Sequence, residues 1–278
     1  MARMHWKPSF WVRPERTLRV AGVARWMVAV LCGVLLSVVA APAAAQEQPP
    51  ASTATPPDVA NEYRITAYPS YRISDTVSGF GYVGWVYKPD ADYTSYYLGK
   101  GVFYTPKKWV QIWGGLIGVY TDNTGKSNLL ELRPFVGPKF MGKTDRKWRY
   151  YNWTRYELRL TETKDTGDWT TVHRFRNQTR IEIPLASFDR SWTPKSWYLL
   201  ADVEPIWRSD TDQIDPLRLR AGIGYIASPK VLVEFQYYAQ YTHPGGGGLA
   251  YTDNIFRLNF KLSTRKGIFW LLDGGIDE

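Results

Sequence analysis

The charged residues of this chain are sorted with a period of two. In 148–161, Arg149, Arg155, Glu157 and Arg159 alternate with Trp148, Tyr150, Tyr156, Leu158 and Leu160; in 169–183, Arg174, Arg176, Arg180 and Glu182 alternate with Trp169, Phe175, Ile181 and Ile183. The same sorting sets Glu131, Arg133 and Lys139 against Leu130, Leu132 and Val136, and Asp202, Glu204 and Arg208 against Trp197, Leu199 and Val203. Arg218 and Arg220 stand against Leu217, Leu219 and Ile223, Glu234 against Val233 and Phe235, and Asp253, Arg257 and Lys261 against Phe256, Leu258 and Phe260. Across these seven segments one face carries no Asp, Glu, Lys or Arg, and the other carries all 20, thirteen basic and seven acidic. A helix of period 3.6 cannot sort residues this way, whereas a strand with two unlike faces does.

The segments are divided by clusters rich in Gly, Pro, Asn and Asp, the residues of chain reversals: KPDAD (88–92), TPKK (105–108), TDNTGKSN (121–128), ETKDTGD (162–168), SDTDQID (209–215), SPK (228–230) and HPGGGG (243–248) among them. Two architectures bury one face of each strand. A soluble sandwich puts its apolar faces together, and a transmembrane barrel turns them to lipid and its charges inward. Segments of ten residues or more exceed the usual soluble strand and suit a membrane crossing of about 9–11 residues. Rings gather at segment ends (Trp109, Tyr120, Trp148, Trp169, Trp197, Trp207, Tyr225, Tyr241, Tyr251), where interfacial girdles belong. The reading is all-β: a transmembrane, antiparallel, up-and-down β-barrel whose abundant rings lie mostly on the outward skin.

Ten strands follow, over 78–87, 95–104, 109–120, 129–140, 148–161, 169–183, 196–208, 216–227, 230–242 and 252–263, with both ends periplasmic because the count is even. Residues 63–73 and 267–272 could make it twelve, although Pro69 weakens the first. Pro134 and Pro205 inside strands imply bulges or irregular pairing.

Outside this region the chain reads as an address. Arg3, Lys7, Arg13, Arg16, Arg19 and Arg25 precede an uncharged apolar run, Met27 to Ala41, and a small-residue Ala-Pro-Ala-Ala-Ala stretch. That is the pattern of a secretory signal peptide over 1–45, and its fifteen apolar residues fall short of the ~20 a spanning helix needs. The formal charge of +9 then loses six basic residues and one acidic, leaving +4, which removes the case for a nucleic-acid binder. The lone cysteine, Cys32, lies in the apolar run, so the mature chain has no disulfide framework or Cys-based metal site. Residues 46–61, with four prolines and no aromatic, read as an extended periplasmic leader, and 62–278 as the barrel with a short C-terminal extension.

The strand ELRPF (131–135), the pair YNWTRYELRL (151–160) and RFRNQTRIE (174–182), and NIFRLNFKLS (254–263) resemble the outer-membrane barrels grouped as the domain-of-unknown-function 2490 family. The resemblance spans roughly 78–263, implies the barrel fold and carries no established activity. The chain departs from many outer-membrane barrels by continuing past its last aromatic strand through RKGIFWLLDGGIDE.

The expected lumen set comprises Arg133, Arg149, Arg155, Arg159, Arg174, Arg176, Arg180, Arg208, Arg218, Arg220, Arg257, Lys139 and Lys261, facing Glu131, Glu157, Glu182, Asp202, Glu204, Glu234 and Asp253. Interleaved Arg and Glu form a structural network by pairing across strands. The alternative is a narrow, anion-favouring channel for acidic small molecules or oligosaccharides, because an excess of six positive charges stays unpaired. A barrel-embedded hydrolase is the third class. Only His173, outward by parity, and His243, opening the Gly-rich loop, are available to it, and no catalytic residue, metal ligand or cofactor motif is assigned. The expected partners are outer-membrane lipid, the barrel-assembly machinery and an anionic solute, with no nucleic acid; the expected location is the bacterial outer membrane, N-terminus periplasmic.

Overall fold

A computed structural model describes residues 59–264, except 145–146, 187–190 and 245–247. The expected signal peptide, nearly all of the leader, and residues 267–272 lie outside the described residues. Each alternating segment is a strand: β1 (Ala60–Arg72), β2 (Val77–Lys88), β3 (Tyr93–Lys107), β4 (Val110–Asn123), β5 (Leu129–Lys143), β6 (Arg149–Thr163), β7 (Trp169–Pro184), β8 (Ser196–Arg208), β9 (Gln213–Ser228), β10 (Val231–Thr242) and β11 (Ala250–Ser263). They form one closed barrel, each strand antiparallel to its chain neighbours.

The count is eleven rather than ten. The additional strand, β1, begins at Ala60 inside the stretch read as leader, and it closes the barrel by running parallel to β11, from Ala60 opposite Asp253 to Ser70 opposite Ser263. An odd number of strands sends the two ends of the barrel chain to opposite mouths, which corrects the expectation of both ends on one side. One mouth carries the connections at 73–76, 108–109, 144–148, 185–195 and 229–230 and the end of β11. The other carries those at 89–92, 124–128, 164–168, 209–212 and 243–249 and the start of β1.

The strand prolines sit where pairing is interrupted. Between β1 and β2 the register passes from Ala67–Val83 to Ser70–Phe80, skipping Pro69. Pro134 pairs with Leu116 on β4, but on its β6 side the register passes from Leu132–Leu160 to Phe135–Glu157. Pro205 pairs with Leu217 on β9 and is skipped on the β7 side. A residue without an N–H is tolerated on a side that asks for no donor.

Outward faces are apolar: Val83, Leu98, Val102, Val136, Phe175, Leu199 and Phe235 are all exposed, with Trp169 and Trp197 near strand ends. Lys100 is an exposed exception on β3. The rings are not confined to the skin, however. Phe80, Phe103, Ile117, Val119 and Phe135 form a buried cluster inside the barrel wall of β2–β5, with Trp113 and Trp153 packed against it. Phe103 and Trp113 stack with centroids 4.4 Å apart. A second cluster joins Trp192, Tyr198, Leu200, Ile226 and Leu232.

Cross-strand glycines give these rings room. Phe80 is registered with Gly101 and Tyr198 with Gly224. A Cβ on Gly101 would lie 2.5 Å from the Phe80 ring tip, so the phenyl lies over bare backbone. An aromatic covering a cross-strand glycine fixes register where glycine alone would leave it loose.

Candidate functional site

The barrel encloses a cavity of about 1520 Å³ whose lining reaches both mouths, from Lys108 and Lys147 at one to Tyr93, Asn123 and Arg208 at the other. Inward-facing residues come from alternate positions of every strand, so pleat and closure together converge side chains that are far apart in the chain.

Arg133, Lys139, Arg149, Arg155, Arg159, Arg174, Arg176, Arg180, Arg208, Arg218, Arg220, Arg257 and Lys261 line this cavity, as do Glu131, Glu157, Glu182, Glu204 and Glu234. Asp202 and Asp253 do not line it. They are buried behind it, Asp202 against Arg180 (2.9 Å) and Arg220 (2.6 Å), and Asp253 against Lys88 with Gln240 donating at 2.7 Å.

Several of the buried carboxylates hold more than one cation. Glu131 accepts from Arg133 at 2.8 Å and Arg159 at 2.6 Å. Glu157 lies among Arg155 (2.6 Å), Arg176 (3.0 Å) and Arg174. Glu204 accepts from Arg176 (2.6 Å) and Arg220 (2.5 Å), with Arg218 at 3.7 Å. Arg180 then links Asp202 to Glu234 (3.5 Å), which also takes Lys261 (2.6 Å), the Tyr198 hydroxyl (2.7 Å) and the Gln236 amide (2.6 Å). The result is a continuous relay, Arg174–Glu157–Arg176–Glu204–Arg220–Asp202–Arg180–Glu234–Lys261, running from β6–β7 to β11. Desolvated charges persist in such a site because each is met by an opposite charge and hydrogen bonds.

Carboxylates are the scarce component. The cavity lining counts eighteen Lys and Arg against seven Asp and Glu, an excess of eleven positive charges. Arg257 is held by neutral groups instead, donating to the Tyr238 hydroxyl at 2.9 Å and to Thr66 at 3.1 Å, and Arg155, beside its Glu157 partner, also lies 4.5 Å over the Trp153 ring. Trp192, from the β7–β8 connection, tucks into the barrel, donates to the Lys147 carbonyl at 2.7 Å and sits 3.7 Å under the Arg149 guanidinium.

Sequence patterning overlooked Glu62 and Arg64 on β1, which pair with each other and line the same cavity. Their signal was present, two charges at i and i+2 in an alternating run, but the run lay beside the proline-rich segment. At the second mouth, the side-chain hydrogen bond from Arg208 holds the exposed Asp210 carboxyl below its usual range. His173 contacts the Tyr156 hydroxyl (2.7 Å) on the outward face, while His243 lines the cavity. Among the described residues no three His, Cys, Asp or Glu side chains converge as metal ligands would.

A family model described as a protein of unknown function (DUF2490) matches residues 55–249, from ahead of β1 into the β10–β11 connection. No curated protein matches the chain.

Proposed function

The chain belongs to the DUF2490 family of proteins of unknown function, and on that premise we propose that it is an exported, integral outer-membrane β-barrel whose arginine-rich lumen is a narrow, anion-favouring passage. Membrane residence is supported by the outward apolar face and by strands of 12 to 16 residues, longer than the ~9–11 that a tilted strand needs to cross. Lys100 is compatible with it, since a lysine lays its apolar stem along the barrel and extends its ammonium toward a headgroup. Residues 1–45 then act as the export signal, lipid is the outer partner, and the barrel-assembly machinery inserts the chain.

The single observation that carries the anion preference is the excess of eleven positive charges along one cavity. A surplus of guanidinium and ammonium groups over carboxylates in a low-dielectric wall attracts anions and repels cations. Planar-bilayer recording of the refolded protein in a salt gradient tests the proposal. The expected reversal potential is that of an anion-selective pore; absence of conductance, or cation selectivity, overturns it. The continuous Arg–carboxylate relay favours a second reading, a barrel whose interior charges serve structure alone, and a non-conducting but stably inserted protein supports that one.

A further inference from the structure

Among the described residues, one row inside the barrel gathers several hydrogen-bond donors that have no partner. Lys139 on β5 is registered with Gln111 on β4 and with Trp153 on β6, and Trp153 is registered with Gln178 on β7. Four adjacent strands therefore set these side chains side by side on the inward face. Lys139 lines the cavity and has no carboxylate partner among the described residues; its ammonium lies 4.1 Å from the centre of the Tyr151 ring and 5.6 Å from that of Trp113. The Trp153 indole N–H is buried and meets no acceptor. Gln111, wholly buried, uses its Oε1 to accept the Trp113 indole N–H at 3.0 Å. That bond fixes the orientation of the amide, since only the oxygen can accept, and leaves Nε2 unpartnered. Gln178, also buried, has an unpartnered Nε2 as well.

The neighbouring row differs. Arg155, two residues along β6, is compensated by Glu157 at 2.6 Å. At Lys139 nothing of the kind is present, and the apolar cluster around Phe135 and Trp113 stands on one side. An unmet buried donor costs about 1–3 kcal/mol, so several on one row are costly unless an acceptor comes from outside the chain. We propose that this row is an oxyanion site, at which Lys139 supplies the charge and the Trp153 N–H a directed donor, with Gln178 on the rim and Gln111 buried behind it, for the carboxylate or phosphate group of a solute in the cavity. The inference rests on the anion-favouring reading of the same cavity and names the chemical group recognised there.

The test uses the refolded full-length barrel in detergent, with inorganic phosphate and acetate as separate probes, followed through indole ¹⁵N–¹H resonances. Saturable movement of the resonance that is missing from Trp153→Phe supports the site, and the tighter probe identifies the preferred oxyanion. Lys139→Met is expected to weaken binding about tenfold or more, the loss of a hydrogen bond to a charged group. Should that variant fail to fold, Trp153→Phe, which keeps the charge and removes the donor, is measured by calorimetry, with weaker binding expected. Non-saturating response to both probes, or unchanged affinity in both variants, overturns the site. Its failure is separable from that of the channel: an anion-selective pore without saturable binding refutes the site alone, and saturable binding in a non-conducting barrel refutes the channel alone.

Discussion

Arg176 on β7 and Glu204 on β8 are not opposite one another in the sheet. Arg176 is registered with Ile206, and its guanidinium reaches diagonally to bring Nη2 2.6 Å from Glu204 Oε1. Because the same guanidinium also contacts Glu157 on β6 at 3.0 Å, it ties three strands together at one point. A fork with fixed donor geometry can bridge in this way, whereas an ammonium acts as a point charge.

Glu204→Gln leaves Arg176, Arg218 and Arg220 without the carboxylate they share. Arg176 keeps Glu157 and Arg220 keeps Asp202, but removing one partner from a buried ionic network typically costs about 3–5 kcal/mol. The expected outcome is a markedly lower urea midpoint for loss of the heat-modifiable band on unboiled gels. Arg176→Lys should fall between this variant and wild type.

Gly101→Ala places a methyl group against the Phe80 ring and the Gly114 carbonyl, and overpacking of this kind costs about 1–3 kcal/mol. Gly118→Ala is its control, since the nearest atom to an added Cβ there is the Leu98 carbonyl oxygen at 3.7 Å. Equilibrium unfolding in detergent is expected to show a lowered midpoint for the first and little change for the second.

Leu98, at 71% exposure the most outward large apolar side chain on β3, separates a barrel in lipid from one in water. Leu98→Arg should cost about 2–4 kcal/mol if the side chain sits near the bilayer midplane. In water an exposed substitution stays within about ±0.5 kcal/mol. Folding efficiency into lipid vesicles measures the difference, and an unaffected variant argues against membrane residence.

Asp210 sits outside the strands, with its carboxyl held low by Arg208. A carboxylate with a depressed folded pKa contributes stability above its unfolded pKa, near 3.9, and loses it as pH falls through the lower folded value. Asp210→Asn should therefore leave behaviour unchanged in strong acid and remove a small contribution at neutral pH. Carboxyl ¹³C titration should find Asp210 ionising below the usual Asp range and returning toward it in Arg208→Ala.

Much of this architecture could be read from residues 129–263, because alternation is local: each strand from β5 to β11 declares its charged face without reference to any other. β2–β4 were legible only as strands. Their inward face carries Phe80, Phe103, Trp113 and Ile117, so polarity does not separate inside from outside there, and cross-strand glycines, not charge, make the space. β1 was legible only as an optional strand over 63–73, weakened by Pro69 and by the proline-rich stretch before it, although Glu62 and Arg64 already carried the charge spacing of the later strands.

By itself, then, the sequence determined an all-β chain of long, two-faced strands, where those strands turn, and which charges share a face. Only the tertiary structure decided that there are eleven strands, that β1 closes in parallel on β11, and that the barrel ends leave by opposite mouths. It alone decided that Arg176 joins Glu157 to Glu204 while Lys139 joins no carboxylate among the described residues. The physical reason is range. A pleat repeats every two residues and is written in neighbours, whereas closure and diagonal pairing depend on the stagger summed around the whole ring.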